Sequence, residues 1–513
     1  MRFARSIVYA LIVATSALSL SIAPDALAAK SDDTLVVGTT RGVATVDRLY
    51  SVKREGLILS RLTDDGLFMV DPETLDYVPL AAKSYQYQDD VTLDITLRDG
   101  IKFHDGSPFG ADDVVYTYNW MLDENQKTSR GTVIQRWLKS VQKLDEKTVR
   151  FNLKFDYPLV FRDMAITVML RKKGTYDTEE GIKASSFGVN GIGPYRVVEF
   201  EPGKDVILER FADYYADSPK GRPAIKYIKF RVIPDIGTQQ AELMSGGIQF
   251  LYGVPIDIAE NIGRTGRANY LTGGDVTVAF MILDAAGYTA KNNPFTKLEV
   301  RRAFNYAINR EAIVKNITRG ASVVLNTPCH PLQFGCSQDV TKYEYNPAKA
   351  KELLAEAGYP NGFEFDLWAY REKPVAEAIM GDLAKIGVTA KMRYVKSTAL
   401  GKARKSRETQ VIFAAWGAGG TADAAMTLNN HFSLDSDRDF TGDAEVSQLV
   451  ADAEKVRDKK VRAELYQKAL TRITDQAYWV PIFGFSQNYL TSKDLNFAPP
   501  KDGLPRLYQA SWR

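Results

Sequence analysis

Residues Val91 to Leu122 read VTLDITLRDGIKFHDGSPFGADDVVYTYNWML, and this stretch decides the fold. Val91, Leu93, Ile95 and Leu97 alternate with Thr92, Asp94 and Thr96, the period-two pattern of a half-buried strand. Asp99-Gly100 and Asp105-Gly106 supply turn chemistry, and a second short strand fits between them. Gly110 suits a helix N-cap, and Asp112 and Asp113 put negative charge in the first turn, where the helix dipole favours it. Val114, Val115, Tyr118, Met121 and Leu122 then share one apolar helical face. Local physics predicts a ββα unit.

Working outward, 513 residues with 45% hydrophobic and 11% aromatic content are enough for several domains with sizeable cores. The formal net charge is +3, and acidic and basic residues are intermingled, which excludes a nucleic-acid footprint. Arg2 and Arg5, an apolar run from Ile7 to Ile22 and Ala26-Leu27-Ala28 form the three-part pattern of a cleaved leader, assigned here to residues 1–28. The apolar run is short for a membrane span, and neither Cys stands at the junction to carry a lipid. A periplasmic protein of a Gram-negative cell is expected, released near Ala29 or Lys30. In such an oxidising compartment Cys329 and Cys336, seven residues apart in CHPLQFGC, favour a local disulfide over metal ligation with His330.

Further along, Thr34 to Gly38 reads as an edge strand, followed by a polar loop to Ser51 and a helix through Leu57, Ile58 and Leu62. KLDEKTVRFNL, from Lys143, is a hairpin around Asp145-Glu146-Lys147. The glycines from Gly188 to Gly193 are wrongly spaced for a dinucleotide loop, and Pro194 leads into the strand RVVEF instead of a helix. Asn346-Pro347 opens a helix that ends at Gly358. The alternation at Phe363, Phe365 and Leu367, a helix stopped by Gly387, and the alternation from Val388 to Tyr394 make βαβ units with parallel strands.

The block LRDGIKFHDGSPFGADDVVYT, with GPYRVVEFEPG, VRRAFNYAINREAI and YNPAKAKELLAEAGYP in that order, resembles the extracytoplasmic solute-binding proteins of ABC importers, family 5, the peptide/nickel-binding type. The resemblance implies an α/β, bilobal periplasmic-binding-protein fold of the type II, peptide-binding kind with an extra small domain. On that basis residues 33–65, 192–272 and 484–513 form lobe I, 66–191 an accessory subdomain and 273–483 lobe II. It further implies a monomer that captures a peptide-like or other small polar solute and delivers it to an ABC permease with its ATPase subunits. No cofactor, metal or nucleic acid is implied. The alternative from another class is a secreted hydrolase acting on a peptide or saccharide.

His104, His330 and His431 are the only histidines, and no HExxH, GxSxG or phosphate-loop motif is present. His104 is expected to hydrogen-bond its own turn, and His431 to take a core or surface role ahead of a metal one. By family position the ligand region is FAAWGAGGTAD, Phe413 to Asp423. In peptide-binding relatives an acidic residue shortly after Trp416 pairs with the α-amino group; here that position is Gly419, and Asp423 either substitutes for it or caps the next helix. Asp284 is a ligand acceptor or a hinge hydrogen-bonding group. Tyr50 and Arg54 fall where the first lobe meets ligand, and Arg371 is a second-lobe candidate. Either arginine could grip a carboxylate bidentately. Trp416 stacks on ligand or packs its lobe.

Overall fold

The structure is a computed structural model that describes residues 30–126, 128–417 and 421–513. The leader reading and Gly419 lie outside the described residues.

The ββα block folds largely as its pattern dictates. Thr92–Leu97 is a strand with Leu93, Ile95 and Leu97 buried and Thr92, Asp94 and Thr96 half-exposed. Removing each such side chain from water contributes about 1.5–3 kcal/mol. It lies in a four-stranded antiparallel sheet ordered Ala82–Tyr87, Thr92–Leu97, Thr148–Leu153, Leu138–Lys143. On the outer face Asp94 stands directly opposite Arg150 and accepts two parallel bonds from it, at 2.7 and 2.8 Å. Gly100 and Gly106 adopt φ of 72° and 84°, the left-handed turn geometry that favours glycine. The second strand is reduced to an isolated bridge between Lys102 and Pro108, because the two turns follow too closely for a ladder to grow. The helix Ala111–Leu122 starts at Gly110, whose N–H donates to the Asp113 carboxylate at 2.9 Å. Val114, Tyr118 and Met121 bury against the sheet, while Val115 and Leu122 are half-buried.

The main sheet has eleven strands and runs Thr389–Tyr394, Glu364–Ala369, Val411–Trp416, Ala268–Leu283, Trp479–Ser492, Phe250–Tyr252, Thr34–Thr39, Tyr227–Val232, Val206–Arg210, Tyr195–Phe200, with Val323–Val324 paired to the fifth of these. Glu364–Ala369 is parallel to both its neighbours, as the βαβ reading requires. Thr34–Thr39, expected at an edge, is interior and pairs in parallel on both sides. Its run Leu-Val-Val, buried throughout, is the composition of a strand covered on two faces. Position at the chain start does not fix position in a sheet built by crossovers.

Two strands, Ala268–Leu283 and Trp479–Ser492, are long enough to serve both halves of the molecule. Their 268–274 and 486–492 portions pair beside Phe250–Tyr252, and their 278–283 and 479–484 portions pair beside Val411–Trp416. One core forms around Leu35, Val37, Tyr195, Ile228 and Phe250, another around Phe295, Phe304, Phe365, Leu367 and Phe413. The result is a bilobal α/β fold whose lobes share two continuous strands.

Candidate functional site

The ladder between the two long strands breaks between Gly274 and Val278. Within the break, Asp275 Oδ1 accepts from the Thr277 N–H at 2.9 Å and from its hydroxyl at 2.5 Å, which holds the bulge shut on itself. Asp275 Oδ2 faces Arg54 Nη1 at 3.4 Å, and Arg54 also donates to the Gly503 carbonyl. Arg54 opens the helix Arg54–Thr63, so the break in one lobe-crossing strand is tied to a helix N-terminus of the first lobe.

Two cavities open on this bulge. The smaller, about 400 Å³, is lined by Arg48, Lys53, Arg130, Arg162, Trp416 and Met426; the larger, about 850 Å³, by Tyr252, Asn316, Arg371, Phe485 and Gln487 among others. Arg54, Asp275 and Thr277 line both. The Arg54–Asp275 pair therefore stands at the boundary between two chambers of one interlobe cleft, each of a volume suited to a small solute. A more open recess of about 790 Å³ around Arg264, Tyr270 and Phe497 takes no residue from the bulge.

The residues singled out from sequence separate into two groups. Arg54, Arg371 and Trp416 line the cleft. The Arg371 guanidinium lies 4.5 Å from the centre of the Phe485 ring and pairs with Glu372 at 3.1 Å. Trp416 ends its strand with the guanidinium of Arg438 over its ring at 5.0 Å and His431 edge-on at 4.9 Å. Asp284, Asp423 and Tyr50 are held within the fold. Asp284 is fully buried and accepts from the N–H groups of Tyr288 (3.0 Å) and Thr289 (2.9 Å), the Thr289 hydroxyl (2.7 Å) and Asn293 (2.7 Å), so it closes a loop instead of facing solute. Asp423 is buried in an ion pair with Arg462 and accepts the Ala425 N–H at 2.9 Å, at the start of the helix Ala425–Phe432 but one position outside its N-cap, Ala424. Tyr50 packs edge-on to Tyr176 at 6.3 Å, and burial beside Asp47 pushes its hydroxyl up to about 12.

His330 and His431 are buried and His104 is half-buried. His104 Nε2 donates to the Gly193 carbonyl at 3.0 Å while Nδ1 accepts from Gly191 at 3.3 Å. His431 Nδ1 donates to the Thr427 carbonyl at 3.2 Å, and its ring is boxed by Phe280, Trp416 and Trp479. Sequence reading missed Arg48, Arg130 and Asp275. Arg48 lies five residues before the basic pair Lys53-Arg54, which offered a signal, whereas Arg130 and Asp275 are far from that pair in the chain.

Cys329 and Cys336 are bonded, with Cα atoms 5.7 Å apart. Within their loop Phe334 exchanges backbone bonds with Ala422 (2.9 Å) and Ala424 (3.0 Å), and Gln333 donates to the Thr421 carbonyl at 3.0 Å. The disulfide loop thus braces the segment that follows Trp416. Replacing both cysteines by serine is expected to cost about 2–3 kcal/mol, read by thermal unfolding, by freeing a short loop in the unfolded chain.

The sequence profile of the bacterial extracellular solute-binding proteins, family 5 (Middle), matches residues 76–439. The chain belongs to that family. This family 5 protein is 28% identical over 446 residues to the heme-binding protein A of Haemophilus influenzae, 79% of each chain being covered. It is 26% identical over 485 residues to the glutathione-binding protein GsiB of Pectobacterium atrosepticum, with 91% of each covered. The crystal structure of the ABC transporter substrate binding protein CtaP of Listeria monocytogenes superposes with a TM-score of 0.83 at 22% identity, covering 93% of this chain and 99% of that one. The family 5 protein is thus a bacterial extracellular solute-binding protein, which supports the binding reading over the hydrolase alternative. Among the described residues no helix is long and apolar enough to cross a membrane.

Proposed function

We propose that this protein binds a small polar or peptide-like solute in the two-chambered cleft at the Arg54–Asp275 pair, closes its lobes over it, and delivers it to an ABC permease served by ATPase subunits. It acts as a periplasmic monomer after removal of residues 1–28. Lobe I comprises 33–65, 192–272 and 484–513, the accessory subdomain 66–191 and lobe II 273–483. The observation that carries the reading is the broken ladder: both lobe crossings, at 274–278 and 484–486, meet the same cleft. Solute that touches both lobes favours the closed form by the difference between its contacts in the two forms, and no covalent bond is made or broken.

Arg54, Arg371 and Trp416 are the contact residues in this reading; Asp284, Asp423 and Tyr50 hold the walls. A thermal-shift and intrinsic-fluorescence screen of dipeptides, longer peptides, opines, oligosaccharides and nickel chelates tests it. Saturable stabilisation and a smaller radius of gyration in solution scattering are expected, with the added solute recovered unchanged. Release of a product would sink the reading. Trp416→Ala is expected to weaken the affinity for the solute so found by about tenfold or more, since one aromatic wall of the smaller chamber is lost.

A further inference from the structure

The smaller chamber is unbalanced in charge and in hydrogen bonding, in the same direction. Three carboxylates line it, and each is already engaged. Asp163 accepts from Arg162 at 2.8 and 2.5 Å, Asp275 from Arg54 and Thr277, and Asp502 from Arg506 at 2.7 Å with Arg61 at 3.4 Å. Against these, Arg48, Lys53 and Arg130 line the chamber with no ion pair among the described residues.

Arg48 is the decisive member. It is only 2% exposed, yet among the described residues its side chain bonds only to the Ser51 carbonyl, and its Nε has no partner there. Its sequence neighbour Asp47 cannot help. The Asp47 carboxylate is filled by the Leu49 N–H (3.0 Å), Arg171 (2.9 Å), Tyr176 (2.7 Å) and Ser185 (2.5 Å). Burial, with Arg130 and Arg61 nearby, pulls the Arg48 guanidinium down to about 9. Among the described residues, the remaining buried side-chain atoms without partners along this chamber are Arg54 Nε, Arg130 Nε and Trp416 Nε1. Every one is a donor. Each unmet buried donor destabilises the fold, and an unpaired buried cation does so more. A partner that supplies acceptors and negative charge answers both deficits at once.

Resting on the cleft assignment above, we propose that the smaller chamber is an oxyanion subsite, taking the carboxylate or phosphate end of an anionic solute between Arg48, Arg130 and Lys53, with the Trp416 indole N–H as a further donor. An α-ammonium group finds no free carboxylate there, because Asp163, Asp275 and Asp502 are paired and Asp423 is held by Arg462. The arginines and the lysine come from the first lobe's side of the cleft and Trp416 from the second's. An anion bridging them therefore binds the closed form better than the open one.

The test is calorimetric titration and thermal shift of the full protein at low and high salt. The anionic arms are glutamyl-glutamate, citrate and glycerol 3-phosphate; the matched arms are glutaminyl-glutamine, glycerol and lysyl-lysine. We expect saturable, salt-weakened binding in at least one anionic arm, the carboxylate and phosphate arms showing which oxyanion is taken. Arg48→Met and Arg130→Met are each expected to weaken it by about tenfold or more, with the exposed Arg41→Met as an unchanged control. Unliganded Arg48→Met is expected to melt above the wild type, because it removes a buried charge that lacks a partner. A neutral or cationic arm that binds and compacts the protein while no anion does overturns the subsite and leaves the transport reading intact. Failure of every arm to bind or compact the protein overturns both. An unliganded Arg48→Met that melts below the wild type assigns Arg48 to the fold and overturns the proposal.

Discussion

Replacing Arg171 by Met is expected to lower the unfolding temperature by about 3–5 °C, because it strands two buried carboxylates with one change. Arg171 is fully buried and donates to Asp47 at 2.9 Å, Asp64 at 2.5 Å, the Tyr176 hydroxyl at 3.0 Å and the Leu170 carbonyl at 3.0 Å. Burial works against charge at Asp47, yet Arg171, with Ser185 and Tyr176, keeps that carboxyl below its ordinary value. Burial is stronger at Asp64, which is pushed up to about 6 despite the same arginine. Without the guanidinium both acids must protonate or stay charged in the core, a loss of about 3–5 kcal/mol or more. Arg171→Lys is expected to fall between, since an ammonium cannot fork to two carboxylates. The damage also reaches the cleft. Asp47 caps the turn Arg48–Tyr50 and so places Arg48, and binding measured well below the melting point is expected to weaken too. Melting of Arg171→Met within a degree or two of wild type would remove this network from the account of stability.

The Val91 to Leu122 stretch was readable because each of its signals acts locally: alternation sets the strand, positive-φ glycines set the turns, and Asp113 caps the helix that follows. Sheet order was not. Thr34–Thr39 lies between parallel partners that join the sheet far later in the chain, and only the crossovers put it inside. The same divide runs through the site. Arg54, Arg371 and Trp416 are candidates by their position in the family resemblance, not by a motif, and all three line the cleft. Asp284 and Asp423 each carry two readings in sequence, a ligand group or a structural hydrogen-bonding group, because a carboxylate's availability depends on which donors the fold brings to it, and theirs are taken. Arg48 shows the converse. A basic residue beside Asp47 reads as a paired surface ion, whereas the fold gives that aspartate to Arg171 and leaves the arginine buried without an acid.

Acidification is expected to destabilise the protein by several kcal/mol between about pH 6.5 and pH 4, and the histidines are the cause. Burial pulls His104 and His330 down to about 4 and His431 to about 3, in the last case with Arg438 and Arg404 opposing charge and Asp437 only partly offsetting them. A pKa depressed on folding means stability that is complete above the unfolded value near 6.5 and is lost as pH falls through the folded value. On that arithmetic His104 and His330 forfeit roughly 3 kcal/mol each and His431 somewhat more. Asp64 acts in the opposite sense. Its raised pKa favours the folded state at low pH and weakens it as pH rises through about 6, by roughly 3 kcal/mol. Burial also holds Asp113, Asp156 and Asp163 above their ordinary value, in the same sense as Asp64, but the three imidazoles carry the larger shifts, so the net effect of acid is expected to be destabilising. Carboxyls held low, such as Asp47 and Asp502, add to the loss only at still lower pH. His431 also links acid to function, because its ring packs against Trp416 at the cleft, where a charged imidazole would stand among aromatic rings and two arginines. His431→Phe keeps the aromatic box while removing the charge. Its melting temperature is expected to fall less between pH 7 and pH 4 than that of the wild type, and its solute affinity to persist to lower pH. If the two proteins lose stability in parallel over that range, His431 is not the group that couples acid to the cleft.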